Sequence, residues 1–90
     1  MKLESLNPAS GELIATYDEM SPEQVDEVLV GCHNAFLEWS QTTFEHRAEL
    51  LTKVAGLLRE RRDELAELMT REMGKPITQA RAEIDKCAWV

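Results

Sequence analysis

Apolar residues recur along most of this chain at helical spacing, and only its first stretch departs from that rhythm. Lys2–Leu6 alternates polar and apolar positions, and Leu13–Tyr17 concentrates Leu13, Ile14, Thr16 and Tyr17, residues that suit a pleated, half-buried strand. Between them, Asn7-Pro8 opens a turn and Gly11 permits positive φ. The pattern predicts a β-hairpin arm over residues 1–20, which is too small to be stable without a surface to lie on.

Residues 21–90 read as helices. Ser21-Pro22-Glu23-Gln24 places a capping hydroxyl, a proline at the first helical position and a glutamine where a capping box requires one. Val25, Val28, Leu29, Cys32, Ala35, Phe36 and Trp39 follow as one stripe, which predicts a helix over about 22–39. Thr42-Thr43-Phe44-Glu45 starts a second helix, with a cap and an acid three residues on. Its buried face is expected to be Ala48, Leu51, Val54, Ala55 and Leu58. The charged run 59–64 interrupts that face before Leu65, Leu68 and Met69 resume it, so either one long helix kinks here or, the preferred reading, two helices meet at Arg62-Asp63, for three or four helices in a mostly α segment. The second of these ends at Gly74, with Pro76 close behind. A last helix starts at Pro76, with Ile77, Ala80, Ile84 and either Cys87 or Ala88 on one face. It meets no stop signal before Val90, and the chain reads as truncated within that helix.

Ninety residues form at most one small unit, which buries only about 60–65 % of the surface its unfolded chain exposes. Charge is distributed unevenly. Residues 1–42 carry eight acids against the single base Lys2, whereas residues 43–90 carry nine of each sign. An acidic first half and a balanced second half weigh against nucleic acid as a partner, and against adsorption to anionic membranes. Met1-Lys2-Leu3-Glu4 lacks the apolar core of a signal peptide, and no apolar run approaches the ~20 residues of a membrane span. With two cysteines at neither metal nor disulfide-framework spacing, a reducing, cytoplasmic setting is expected.

Few residues suggest chemistry. Cys32 precedes His33, but adjacent helical residues point in different directions, and Cys32 on the apolar stripe is expected to act as a small buried hydrophobe. Cys87-Ala88-Trp89-Val90 has the outline of a prenylation box, without an upstream polybasic stretch; helical periodicity accounts for Cys87 better. His33 and His46 lack partners at ligand spacing and are expected in solvent, so no metal site is expected. Gly74-Lys75 lacks the other glycine and the hydroxyl of a phosphate loop. The run 59–64 reads as a solvated junction with pairs four residues apart. No catalytic, cofactor-binding or metal-binding residue is assigned.

The order of short motifs says more than any one of them. Asn7-Pro8-Ala9-Ser10-Gly11-Glu12, Ala35-Phe36-Leu37-Glu38-Trp39 and Arg47-Ala48-Glu49-Leu50-Leu51 come first. Arg61-Arg62-Asp63-Glu64-Leu65-Ala66, Arg71-Glu72-Met73-Gly74-Lys75-Pro76 and Gln79-Ala80-Arg81-Ala82-Glu83-Ile84 follow. This series, from about Leu6 to Trp89, resembles the N-terminus of the NAD(P)-dependent aldehyde dehydrogenase superfamily, and the stretch from Thr70 to Glu83 resembles its succinate-semialdehyde dehydrogenase branch. Ser10 stands where that family commonly has threonine.

The resemblance implies a parent α/β subunit with a Rossmann-like cofactor domain, a catalytic domain and an oligomerisation arm, assembled as a homodimer or homotetramer. Residues 21–90 would be the helical N-terminal part of the cofactor domain, packed against the remainder of the subunit. The implied chemistry is attack of a cysteine thiolate on an aldehyde, hydride transfer to NAD or NADP, and hydrolysis to the acid. The family's nucleophile, glutamate, oxyanion asparagine and dinucleotide-binding residues lie further along its chain, so none carries over onto this one. The segment by itself is expected to bind no cofactor and to be inactive. The alternative is a self-standing acidic helical interaction module without enzyme activity.

Overall fold

The hairpin forms where the alternation predicts it. In the computed structural model, which describes residues 1–90, strands β1 (Lys2–Leu6) and β2 (Leu13–Asp18) pair antiparallel, from Lys2 opposite Asp18 to Leu6 opposite Leu13. A bulge between Ser5 and Leu6 feeds the turn. There the Asn7 Oδ1 accepts from the Ala9 N–H at 2.9 Å, and the Gly11 N–H donates to the Asn7 carbonyl at 2.7 Å. Gly11 has φ 77°, the left-handed conformation that glycine adopts without steric cost.

Four helices follow: α1 (Pro22–Trp39), α2 (Phe44–Glu60), α3 (Arg62–Met73) and α4 (Ile77–Trp89). The capping box of α1 is closed from both sides, Gln24 N–H to Ser21 Oγ at 3.2 Å and Ser21 N–H to Gln24 Oε1 at 2.8 Å. The cap of α2 is Thr43, whose hydroxyl accepts from the His46 N–H at 3.1 Å; Thr42 serves the preceding corner instead. Arg61 alone separates α2 from α3, with φ −99° and ψ 16°. Gly74 terminates α3 at φ 73°, and the Pro76 backbone, at ψ 136°, turns the chain back into α4.

Helices α3 and α4 form an antiparallel pair that holds most of the small core. Ala66, Ala80 and Ile84 are buried there, flanked by Leu58, Leu65, Met69 and Ile77. Alanines at the contact let the two backbones approach closely, so Ile84 supplies most of the buried side-chain volume. Ala88, not Cys87, completes the buried face of α4, which also packs against α2. The hairpin lies on α3 through β1.

The remainder is open. The chain measures 47 × 37 × 14 Å, one helix layer thick, with a radius of gyration of 17.4 Å where a compact 90-residue domain has about 12 Å. Its accessible area of 7550 Å2 exceeds by roughly 40 % that of a compact monomer of this mass. The stripe predicted on α1 and the face predicted on α2 exist as surfaces, yet neither helix contains a buried residue. The expected burial of the α2 face is corrected: Leu51 is 68 % exposed and Val54 48 %. Too few elements are present to cover both sides of a single layer.

Candidate functional site

The residues weighed for chemistry do not converge. Cys32 and Cys87 are both free and exposed, which corrects the expected burial of Cys32: its stripe has no partner within the chain. His33 is exposed beside Phe36, with ring centres 6.5 Å apart, and His46 beside Trp39 at 6.3 Å. No three His, Cys, Asp or Glu side chains gather around a point that could hold a metal ion. The Lys75 ammonium is paired with Glu83.

The charged run 59–64 does more than its sequence reading allowed. Within the run Arg61 donates twice to Glu64 at 3.1 and 2.7 Å, three residues on instead of four, and Arg62 lies 3.5 Å from its neighbour Asp63. Arg62 reaches Asp85 at 3.4 Å, Asp63 receives Arg81 at 3.2 Å, and Arg59 donates to the Ala88 carbonyl at 3.4 Å. The first two contacts clasp α3 to α4, and the third ties the end of α2 to the end of α4. Exposed pairs of this kind contribute about 0–1 kcal/mol each, so the clasp sets register more than it stabilises.

A second cluster joins α1 to α2. The Trp39 carbonyl accepts from the Thr42 N–H at 3.0 Å, from the Thr42 hydroxyl at 2.7 Å and from Arg47 Nη2 at 2.9 Å. Arg47 Nε also donates to Thr42 Oγ1 at 2.8 Å. The guanidinium lies 5.3 Å from the centre of the Trp39 ring and 5.9 Å from that of Phe44.

These side chains do not fit a dinucleotide. Arg61, Arg62, Lys75 and Arg81 are already paired with carboxylates, and the caps of α1 and α2 occupy backbone donors that a phosphate would need.

The notable surface is apolar instead. Val25, Val28, Leu29 and Phe36 line α1, all more than 40 % exposed. An open hollow between α2 and the end of α4 is lined by Leu51, Val54, Leu58, Cys87, Trp89 and Val90, among others. Contiguous apolar surface of this kind marks a surface of interaction.

The sequence model described as the aldehyde dehydrogenase family matches residues 1–90, the whole chain. The chain belongs to the aldehyde dehydrogenase family. Its sequence is 40 % identical over 84 residues to the NAD(P)+ succinate semialdehyde dehydrogenase of Escherichia coli (strain K12), covering 93 % of this chain and 18 % of that protein. It is 41 % identical over 90 residues to the probable NADP(+) succinate-semialdehyde dehydrogenase of Synechocystis, covering 100 % and 20 %. The fold superposes on the succinic semialdehyde dehydrogenase of Streptococcus pyogenes, solved with NADP+, at a TM-score of 0.86 and 36 % identity, covering 94 % of this chain and 19 % of that one. For the NADP-dependent glyceraldehyde-3-phosphate dehydrogenase of Bacillus halodurans C-125, solved with NADP, the TM-score is 0.92 at 30 % identity, covering 98 % and 18 %. The hairpin followed by helices is thus the arrangement that aldehyde dehydrogenases have in this part of their fold. The chain spans about a fifth of the length of the relatives it matches.

Proposed function

We propose that these residues are the N-terminal segment of an NAD(P)-dependent aldehyde dehydrogenase that oxidises succinate semialdehyde to the corresponding acid. The observation that carries this reading is the end-to-end similarity to succinate-semialdehyde dehydrogenases, at 40 % and 41 % identity in two of them. The uncovered faces of α1 and α2 support it from the physical side, because the remainder of a subunit five times longer is the natural cover for them. In this reading residues 1–20 are a hairpin arm and residues 21–90 the helical opening of the cofactor-binding domain. NAD or NADP, and the aldehyde, bind to the rest of the subunit. The whole enzyme is a cytoplasmic homodimer or homotetramer. No helix here is long and apolar enough to cross a membrane.

Two assays test the proposal. A chimera carrying these 90 residues in place of the matching segment of the E. coli enzyme is expected to fold and to oxidise succinate semialdehyde; an insoluble or inactive chimera would overturn the assignment of the segment. A whole protein that contains these residues is expected to reduce NAD or NADP with succinate semialdehyde. Turnover confined to another aldehyde would overturn the substrate and leave the family assignment intact. Residues 1–90 by themselves are expected to be inactive, and a thiol-dependent dehydrogenase activity in them would contradict the proposal. The self-standing interaction module finds no support in the comparisons.

A further inference from the structure

We infer that the Arg47 corner is a conformational device that sets the direction of α1 before its apolar face has anything to dock on. Helix α1 buries no residue and packs along no other element, so packing does not orient it. Its orientation depends on the four-residue link Ser40–Thr43 and on the contacts around it. That link is unusually well tied. Three donors converge on the Trp39 carbonyl, and Arg47 bridges from it to Thr42 Oγ1. Thr42 and Arg47 are both half-buried, although nearly every residue around them is exposed. Arg47 performs two tasks that a lysine cannot combine. Its rigid fork reaches two oxygen acceptors at once, and its flat face lies against Trp39 and Phe44. A tied corner lowers the ordering cost of docking, since the α1 stripe already points in one direction. This role is independent of the proposed reaction, because it concerns the chain by itself.

The chain carries its own probes: Cys32 on α1 and Cys87 on α4 are the two free, exposed cysteines. Nitroxide labels on both report the angle of α1 to the α2–α4 unit as a distance distribution, by pulsed electron spin resonance, in the 90-residue chain. The unsubstituted chain is expected to give one narrow maximum. Arg47→Lys and Thr42→Val are each expected to lose it while far-ultraviolet circular dichroism stays unchanged, and Thr42→Ser, which keeps the hydroxyl, is expected to retain it. A broad distribution in the unsubstituted chain would overturn the role, as would narrow maxima in both Arg47→Lys and Thr42→Val. Loss of helicity in those two variants would also overturn it, by making the corner a requirement for folding and not for direction.

Discussion

The ring of Pro8, in the hairpin turn, sits against Gly74 at the end of α3, with Pro8 Cγ 3.2 Å from where a β-carbon on Gly74 would stand. Gly74 therefore meets two demands at once. Its φ of 73° terminates the helix, and its missing side chain makes room for the turn of the β-arm.

Gly11 has nearly the same φ, 77°, with nothing within 4 Å of the position of its β-carbon. The pair of glycines separates the two demands. Gly11→Ala is expected to lose only the backbone cost of a left-handed alanine, on the order of 1–2 kcal/mol. Gly74→Ala is expected to lose more, and Pro8→Ala should recover the excess in Gly74→Ala but not in Gly11→Ala. Urea unfolding of the three single and two double variants measures this coupling; equal losses in the two glycine variants would dismiss the Pro8 contact.

Core and surface substitutions should respond differently to context. Ile84→Ala removes the main side chain of the α3–α4 core and is expected to cost about 2–4 kcal/mol, in the 90-residue chain and in the E. coli chimera alike. Phe36→Ala and Leu51→Ala, at 58 % and 68 % exposed, should be near neutral in the 90-residue chain. In the chimera, where the proposed function covers those faces, each should lower the thermal midpoint clearly. Midpoints unmoved in the chimera would mean that these faces stay open.

Two hydroxyls, Ser5 Oγ on β1 and Thr70 Oγ1 on α3, are shut off from water and have no hydrogen-bond partner. A buried polar atom left unpaired costs about 1–3 kcal/mol, whereas an apolar group of the same shape does not bear that cost. Thr70→Val keeps the shape of the side chain and is expected to raise stability by about 1 kcal/mol, seen as a higher urea midpoint at unchanged m-value. A lower midpoint would indicate a partner for Thr70 that the fold does not reveal.

What the residues disclosed in advance follows the range of the interactions. Ser21-Pro22-Glu23-Gln24 and Gly74-Lys75-Pro76 bound their helices through contacts within a few residues, so both boundaries could be read directly. The acid three residues on pointed to Thr42 as the cap of α2, whereas Thr43 caps it, because the Thr42 hydroxyl is held by the Trp39 carbonyl and by Arg47 from the next helix. The Arg62–Asp85 and Asp63–Arg81 pairs join residues 23 and 18 positions apart and carry no local signal. Periodicity located the stripes of α1 and α2 but could not say whether anything covers them, hence the error over Cys32. The site is a different matter. The ordered motifs pointed to the family, while no residue of this segment matched the family's catalytic pattern.

Acid should act on α3 through its first turn. The hydrogen bond from Arg61, and then its positive charge, hold the Glu64 carboxyl below the usual carboxylate range; the same contact raises the Arg61 guanidinium further above neutrality. Glu64 thus ionises more readily folded than unfolded. Its contribution to stability is complete above the ordinary carboxylate range and is lost as pH falls through the lowered, folded value. Arg61 stays charged throughout that window and adds no slope. In Arg61→Gln, a carbon-detected titration of Glu64 should shift up toward the ordinary range. Glu23 provides an internal comparison: its own backbone N–H, and then the Ser21 hydroxyl, hold it low at the start of α1, away from Arg61. Its midpoint should stay put in Arg61→Gln and rise in Ser21→Ala. A Glu64 midpoint that ignores Arg61→Gln would show that the pair does not persist in solution, leaving the contacts of Arg62 and Asp63 as those that hold the first turn of α3.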